Sequence, residues 1–203
     1  AFNLFLGFFS NKPFQVHYFY SYSIYLKIHK ILNKENPNHI FCQLIRVSEY
    51  VKNYHNCPKT LDYMDALSKG IDRRYEIAPL SKKWIFKMEY NRLLNYESLI
   101  FDYFDSKLMI SKQDSKCIIH PLKNSIKVIP NGIDASFFKK NNIEAKFDLV
   151  FVGNLSYAPN REAIEYILTK ILPVTNFSCL ISGANPSNSL RNRIDKIKNV
   201  TLW

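Results

Sequence analysis

The sequence predicts an α/β fold with two doubly wound parallel-sheet domains, both incomplete in this chain. Three observations predict it: short apolar runs alternate with helix-like segments, a Pro-Asn-Gly sequence at 130–132 follows one such run, and a new apolar run begins at Leu149. Pro130 lacks the N–H that a central strand needs, and Asn-Gly tolerates positive φ, so we expect the chain to turn there. The predicted divisions are a domain at 1–134, a polar linker at 135–147 and a domain at 148–203.

The first domain is predicted to begin with a strand-helix-strand unit and to continue in the same alternation. Its predicted strands lie at residues 15–19, 40–45, 60–64, 107–110 and 126–129. Its predicted helices lie at residues 21–36, 81–104 and 114–119, with Ser111 as a cap before the last of them. Because strands and helices alternate along the chain, the strands are expected to be parallel.

The second domain repeats the alternation over fewer elements. Apolar runs predict strands at 149–152 and 177–181 and a third strand from Val200. Helices are predicted at 161–172, where Pro173 stops the pattern, and at 187–198. The chain begins without Met and ends on an early strand of this domain, so we expect it to be a piece of a longer protein.

Composition favours a folded protein with an anionic partner. The 203 residues are 47% hydrophobic and 15% aromatic, which is enough for a sizeable core. The net charge of +11 favours a nucleic acid, an anionic membrane or a phosphorylated substrate, although a solvated lysine surface explains it equally well. Cys42 and Cys179 lie in apolar runs, and the four cysteines form no CxxC pair, so we expect reduced thiols in the cytoplasm.

The start of the chain, residues 1–10, is apolar but too short to span a bilayer, and it lacks the basic beginning of a signal peptide. A core helix and a helix lying on a membrane surface both fit this segment.

Ligands of open parallel sheets bind beyond the carboxyl ends of the strands. In the first domain this rule selects Arg46, Asp65, Ser68, Ser111, Asn131 and Gly132. In the second domain it selects Gly153, Asn154, Ser156, Gly183 and Asn185. One arginine, one aspartate, hydroxyls, amides and glycines beside helix starts suit a phosphorylated, hydroxyl-rich ligand. Both sets are expected to face a single cleft between the domains.

Each of the main candidates also has a purely structural explanation. Gly153 is either a plain strand-to-helix turn or a point where the backbone approaches a diphosphate. Asp65 is either the N-cap of a helix from Ala66 onward or a carboxylate that orients an acceptor hydroxyl. Arg46 is either paired with Glu49 or a clamp for phosphate or carboxylate. The five histidines are scattered without metal-ligand spacing, so at least four of them are expected to be structural or to lie at the surface.

Two segments in succession resemble a known family. Ile-Pro-Asn-Gly-Ile-Asp at 129–134, followed by Val-Phe-Val-Gly-Asn at 150–154, is similar to the interdomain crossing of two-domain glycosyltransferases of the GT-B fold. The closer likeness is to the family-4-like group of bacterial cell-surface polysaccharide synthesis. Residues 153–160, residues 61–68, and the helix with Glu89, Arg92 and Tyr96-Glu97 resemble a subgroup of that family. The likeness runs from about Gln15 to Trp203.

The resemblance implies two Rossmann-like domains and transfer of a sugar from a nucleotide-sugar donor to a saccharide or lipid-linked acceptor, with retention of configuration and without metal or cofactor. The acceptor would lie against the first domain and the donor against the second, where Arg161 joins the residues selected above. The family's basic pair after the glycine is replaced here by Asn154 and residues 158–160. Its paired glutamates would lie beyond Trp203 and its first glycine-rich loop before Ala1, so this piece alone is expected to be inactive.

Two other classes of function remain as alternatives. One is a sugar-nucleotide epimerase of the same two-domain shape. The other is a basic α/β module that binds a membrane or nucleic acid without catalysis. Lysine and arginine are dispersed and no nucleic-acid-binding motif is present, so we expect no nucleic-acid partner. An anionic membrane surface is compatible with a lipid-linked acceptor, which places the protein in the cytoplasm or at the inner face of the cell membrane.

Overall fold

A computed structural model describes residue 7 and residues 10–138 and 144–203 as an α/β protein with parallel sheets. The chain divides into two compact units, Ala1–Ile133 and Asp134–Trp203. Each unit has a sheet of its own, so the strands predicted at 126–129 and 149–152 do not pair with one another. Most of the apolar segment at 1–10 and the middle of the predicted linker lie outside the described residues.

The first unit is built on four parallel strands that pair in the order of the chain. They are β1 (Ile40–Gln43), β2 (Lys59–Asp62), β3 (Ser106–Met109) and β4 (Lys127–Val128). All four residues of β2 are buried, as expected of an inner strand of a parallel sheet. The pairing order runs in one direction and does not reverse among these four strands.

The helices of this unit correct two predictions from the sequence: the strand at 15–19, and the helix at 114–119, which begins two residues earlier and ends at Ser115. The helices are α1 (Phe14–Phe19), α2 (Tyr22–Glu35), α3 (Leu67–Ile77), α4 (Leu80–Phe101) and α5 (Lys112–Ser115). The predicted strand at 15–19 is wrong, because these residues form α1. Glu89 on α4 accepts hydrogen bonds from the backbone N–H groups of Phe14 and Gln15 and thereby caps α1. Short 3₁₀ helices at Ile45–Tyr50 and Lys123–Ser125 complete the connections.

The core of the first unit lies between the sheet and α4. Its fully buried side chains include Ile45, Leu61, Leu93, Phe101 and Met109. Burying an aliphatic or aromatic side chain of this size contributes about 1.5–3 kcal/mol, so this contact fixes α4 against β2 and β3.

The second unit has three parallel strands, again paired in chain order. They are β5 (Leu149–Val152), β6 (Cys179–Ser182) and β7 (Val200–Leu202), with helices α6 (Ala158–Tyr166) and α7 (Asn188–Ile194). Short 3₁₀ helices lie at Ala135–Phe138 and Leu172–Val174. The helix predicted at 161–172 begins earlier and continues after Tyr166 as a π-helical segment, Ile167–Ile171. The core gathers the buried side chains of Leu155, Ile164, Leu168, Ile181 and Ile194.

The cysteines are all free, and Cys42 and Cys179 are buried, as the apolar runs around them predicted. Burial raises the pKa of the Cys42 thiol to about 12, so this side chain stays protonated at neutral pH. Within the described part of the chain, no helix is both long enough and apolar enough to cross a membrane.

Candidate functional site

Four of the predicted site residues lie at the carboxyl edge of the four-stranded sheet. Arg46, Asp65, Ser111 and Asn131 follow β1, β2, β3 and β4, and these parallel strands end at the same edge. Asn131 and Gly132 are exposed but have no positive φ, and a Cβ atom at Gly132 would meet nothing within 4 Å. The local conformation therefore does not require Asn-Gly at this turn, contrary to the sequence-based expectation.

Two strained residues lie at this edge, and nothing in the sequence pattern indicated them. Leu44 has φ 73° and ψ 132°, and Met64 has φ 62°. Leu44 directly follows the last residue of β1, and Met64 lies two residues after the last residue of β2. The Leu44 N–H donates to the carbonyl of Asp62 at 2.8 Å, and the Gln43 amide lies 3.3 Å from the Met64 sulfur. Such backbone strain costs on the order of 1–3 kcal/mol per residue and is concentrated at ligand-binding sites.

Arg46 is half-buried at this edge, and its predicted ion pair with Glu49 is absent. Its Nε instead donates to Gln15 Oε1 at 3.0 Å, and its guanidinium carbon lies 5.7 Å from the centre of the Phe19 ring. Within the described residues its terminal nitrogens have no hydrogen-bond partner, so two donor groups remain for a ligand.

Asp65 is exposed at the end of β2, and it does not cap a helix. The N-cap of α3 is Ala66, which has no side-chain acceptor, so the structural alternative for Asp65 is wrong. Ser111 does cap a helix, as predicted: its Oγ accepts from the N–H groups of Gln113 and Asp114. Asp65 thus keeps a free carboxylate at the edge, while Ser111 is occupied in holding α5.

Ser68 is unavailable to a ligand because it is 1% exposed and bound to a buried carboxylate. Its N–H and hydroxyl donate to the two oxygens of Glu97 on α4, at 3.0 and 2.5 Å. Burial raises the pKa of Glu97, and the hydrogen bonds from Ser68 and Leu67 oppose that shift without cancelling it. Burial likewise raises the pKa of Glu89, against the N–H groups of Phe14 and Gln15.

A third buried carboxylate, Glu49, is surrounded by donors. Its oxygens lie 2.6 Å from Lys12 Nζ, 2.8 Å from Lys52 Nζ and 2.8 Å from the Tyr96 hydroxyl. Burial on its own would raise the pKa of Glu49, but these three hydrogen bonds outweigh it and lower the pKa below its ordinary value. Sequence reasoning assigned Glu49 only as a partner of Arg46. Its true partners are distant in the chain, apart from Lys52.

In the second unit, the segment after β5 is a tightly bonded turn that leads into α6. Asn154 Oδ1 accepts from the N–H and the hydroxyl of Ser156, at 3.0 and 2.8 Å. The Asn154 carbonyl accepts from Asn160 Nδ2 at 2.9 Å, and the Leu155 N–H donates to the carbonyl of Ala184 at 2.8 Å. The predicted donor-side residues Asn154 and Ser156 are therefore held in place before any ligand binds.

Gly153 and Gly183 lie side by side at the carboxyl ends of β5 and β6, and internal packing requires a glycine at position 183. A Cβ atom at Gly183, which has φ 151°, would lie 1.7 Å from the carbonyl oxygen of Gly153. A Cβ atom at Gly153 would lie 2.7 Å from Asn160 Nδ2. The structural explanation for Gly183 is therefore sufficient, and the space beside Gly153 is filled by the Asn160 amide.

Arg161 and Asn185 are exposed near this turn. Asn185 has φ 59°, a conformation that asparagine tolerates better than most residues. Arg161 lies in the first turns of α6, where no acidic residue and no side-chain cap satisfy the helix N-terminus. No side-chain partner of Arg161 occurs among the described residues. Its cation therefore lies near the positive end of the helix dipole, where an anion would be favourable.

A separate cavity of about 830 Å³ lies at the amino edge of the first sheet, where β2 and β3 begin. It is lined by residues 55–59 and 102–105 together with Leu99, and none of the predicted site residues borders it. Lys59 has little capacity to bind a ligand in this cavity, because its ammonium group donates to the carbonyl of Lys52 at 2.5 Å. Burial also lowers the pKa of Lys59.

Comparisons with models of known protein families and with curated proteins give no match. No group of three or more His, Cys, Asp or Glu side chains within the described residues is arranged to hold a metal ion. The prediction that both sets of site residues face one cleft stays a prediction.

Proposed function

We propose that this chain is part of a GT-B-fold glycosyltransferase that resembles the family-4-like bacterial group. It would transfer a sugar from a nucleotide-sugar donor to a saccharide or lipid-linked acceptor during cell-surface polysaccharide synthesis, with retention of configuration. Its two units would be parts of doubly wound, Rossmann-like domains, and it would need neither metal nor cofactor. The proposal starts from the resemblance in sequence and is supported by the chemistry at the carboxyl edges of the two sheets.

The observation that carries the proposal is the turn from Gly153 to Arg161. Its backbone is fixed by internal hydrogen bonds, and it leads into a helix whose first turn has N–H groups without intrahelical acceptors. A diphosphate placed there would accept hydrogen bonds from these N–H groups and from Arg161. The leaving diphosphate needs such donors because negative charge develops on it during transfer.

The first unit supplies groups that suit an acceptor. Asp65 is an exposed carboxylate that could orient a sugar hydroxyl, and Arg46 has donors left for a phosphate of a lipid-linked acceptor. Strain at Leu44 and Met64 occurs at the same edge of the sheet, as is common at ligand sites. Asp65 would orient the acceptor hydroxyl, and Arg46 would bind the acceptor's charged group.

Binding of the donor nucleotide can be tested on the chain as it stands. Isothermal titration with UDP and GDP should show binding of one of them, and Arg161→Ala should weaken that binding roughly tenfold through loss of a charge-assisted hydrogen bond. Arg191→Ala is the matched control, because Arg191 is an exposed arginine on α7 of the same unit. Equal affinity in the wild type and both variants would remove the proposed role of the 153–161 turn.

Transfer itself is tested with a two-domain protein that contains this chain. Nucleotide release should depend on an added acceptor extract, and Asp65→Asn should lower kcat by a factor on the order of 10² while leaving donor affinity unchanged. Glu76→Gln, an exposed acid on α3, is the control. Conversion of the sugar nucleotide without acceptor would favour an epimerase, and no turnover of any donor would favour a binding module.

A further inference from the structure

The tip of a helical hairpin in the first unit exposes a cluster of large apolar side chains. Helices α3 and α4 pack against each other and are joined only by Ala78 and Pro79. Around this joint, Ile77 is 74% exposed, Leu80 is 86% exposed and Trp84 is 57% exposed. Leu80 and Trp84 are four residues apart on α4 and therefore lie on the same face of the helix. We call these residues, from Ile77 to Trp84, the hairpin tip.

The hairpin tip is surrounded by positive charge. Residues 69–87 contain six basic and two acidic side chains. One of the acids, Asp72, is paired with Lys69 at 2.8 Å. The charged side chains that remain in this segment are one acid, Glu76, and five basic residues. The ammonium groups of Lys83 and Lys87 lie 5.3 and 5.6 Å from the centre of the Tyr75 ring, so their positions beside the tip are partly fixed by cation–π contacts.

Lysine side chains at the N-terminus of α4 are unfavourable for the stability of this helix by itself. Lys82 and Lys83 lie in the first turn of α4, at the positive end of the dipole of a 22-residue helix. That turn contains no acidic residue and has no side-chain cap. An anionic group outside the tip would neutralise both the lysines and the helix end, which indicates a negatively charged partner.

We propose that the hairpin tip docks on the surface of an anionic lipid bilayer. Ile77, Leu80 and Trp84 would enter the interfacial layer, where tryptophan is favoured, while Lys82 and Lys87 would contact the phosphate headgroups. A nucleic acid would satisfy the cations but would leave the two aliphatic side chains in water. The apolar residues are already exposed at the joint between two helices, so they can enter a bilayer without any rearrangement of the hairpin.

The docking is independent of glycosyl transfer, so it is tested without donor or acceptor. The chain should sediment with vesicles of phosphatidylcholine and phosphatidylglycerol but not with vesicles of phosphatidylcholine alone. High salt should release it, because added ions screen the attraction between lysine and headgroup. In a Trp203→Phe background, the fluorescence of Trp84 should shift to the blue on addition of the anionic vesicles. An unshifted Trp84 in the bound protein would overturn the proposal.

Variants at the tip separate the apolar and the electrostatic contributions. The pair Leu80→Ser and Trp84→Ala should weaken vesicle partitioning at least tenfold, and so should the pair Lys82→Glu and Lys87→Glu. These side chains lie at the surface of α4, so circular dichroism should show that the fold is kept. The matched controls are Leu122→Ser and the pair Lys116→Glu and Lys123→Glu, which change residues elsewhere in this unit.

Three results would contradict the proposed docking. The first is the absence of binding to anionic vesicles at low salt. The second is binding that survives both tip variants but is lost in Leu26→Ser, which would assign the contact to the exposed side of α2. The third is tighter binding to RNA or DNA than to vesicles with loss in the lysine pair alone, which would make the tip a nucleic-acid site.

Discussion

Glu97 and Ser68 are joined by two hydrogen bonds, from the backbone N–H of Ser68 at 3.0 Å and from its hydroxyl at 2.5 Å. Ser68 is the second residue of α3, so the Glu97 carboxylate takes the place of the N-cap side chain that Ala66 lacks. Eight residues earlier on the same helix, Glu89 does the same for α1. One helix therefore holds the N-termini of two others through buried carboxylates.

Removal of the Glu97 carboxylate should destabilise the first unit. Glu97→Ala leaves the N–H and the hydroxyl of Ser68 buried without acceptors, and each buried unsatisfied donor costs about 1–3 kcal/mol. We expect the free energy of unfolding to fall by about 3 kcal/mol, measured by urea denaturation followed by circular dichroism. Glu97→Gln keeps one acceptor oxygen, so it should cost less than half as much.

Glu76→Ala is the control for Glu97→Ala, because Glu76 is an exposed acid on α3 with no part in the cap. It should change the free energy of unfolding by less than about 0.5 kcal/mol. Equal losses in Glu97→Ala and Glu76→Ala would show that the buried cap does not hold α3.

The contribution of Glu49 to stability should depend on pH. Its pKa in the folded protein lies below the ordinary value of 4.5, so its stabilising effect is present above pH 4.5 and is lost as the pH falls through the folded value. At neutral pH, Glu49→Gln should lower the free energy of unfolding by about 2 kcal/mol, since Lys52 would then be half-buried without its carboxylate.

The difference between the wild type and Glu49→Gln should shrink steadily below pH 4.5 in a series of urea denaturations. Glu35→Gln serves as the control because Glu35 is exposed at the end of α2. A difference that stayed constant from pH 7 to the acid range would mean that Glu49 is not held in its ionised form.

Gly183 should be the least replaceable glycine of the second unit. In Gly183→Ala the new Cβ atom would lie 1.7 Å from the backbone oxygen of Gly153, which cannot move without breaking the pairing of β5 and β6. We expect loss of more than about 3 kcal/mol or failure of the unit to fold. Gly132→Ala is the control, because a Cβ atom there meets nothing within 4 Å. Amide exchange of the β5 and β6 backbone would report the damage; wild-type protection in Gly183→Ala would refute the close packing.

Replacement of Gly70 by alanine should have the opposite effect on stability. Gly70 lies inside α3 and has no positive φ, and a Cβ atom added to it would meet nothing within 4 Å apart from the backbone of its own helix. Gly70→Ala should therefore raise the free energy of unfolding by about 0.5–1 kcal/mol, because alanine loses less backbone entropy in a helix. Thermal denaturation checks this, and a lower midpoint than that of the wild type would contradict it.

Strands could be predicted from the sequence where apolar residues follow one another without interruption. The runs that begin at Ile40 and Leu149 are short and apolar, and both form parallel strands as predicted. The segment at 15–19 failed for a physical reason. Its cap is Glu89, more than seventy residues away in the chain, so no local window contains the interaction that makes it helical.

The candidate site likewise has features that the sequence could predict and features that it could not. Arg46 and Asp65 could be chosen from their places after strands, since the carboxyl ends of parallel strands share one edge. Their surroundings could not be predicted, because Gln15 binds Arg46 across thirty-one residues and Glu97 removes Ser68 from the surface across twenty-nine. Strain at Leu44 and Met64 has no sequence signature, since neither residue type is typical of positive φ.

The pairing order of the strands has a consequence for biosynthesis. In both sheets each described strand after the first pairs with the strand that precedes it in the chain. Among the described strands, each one after the first of its sheet would therefore emerge from the ribosome to meet a partner that has already been made, and none would have to be inserted between two existing strands. The sheet would grow at one margin only, in the direction of translation, so the surface that needs protection by a chaperone at any moment is that of the strand made last.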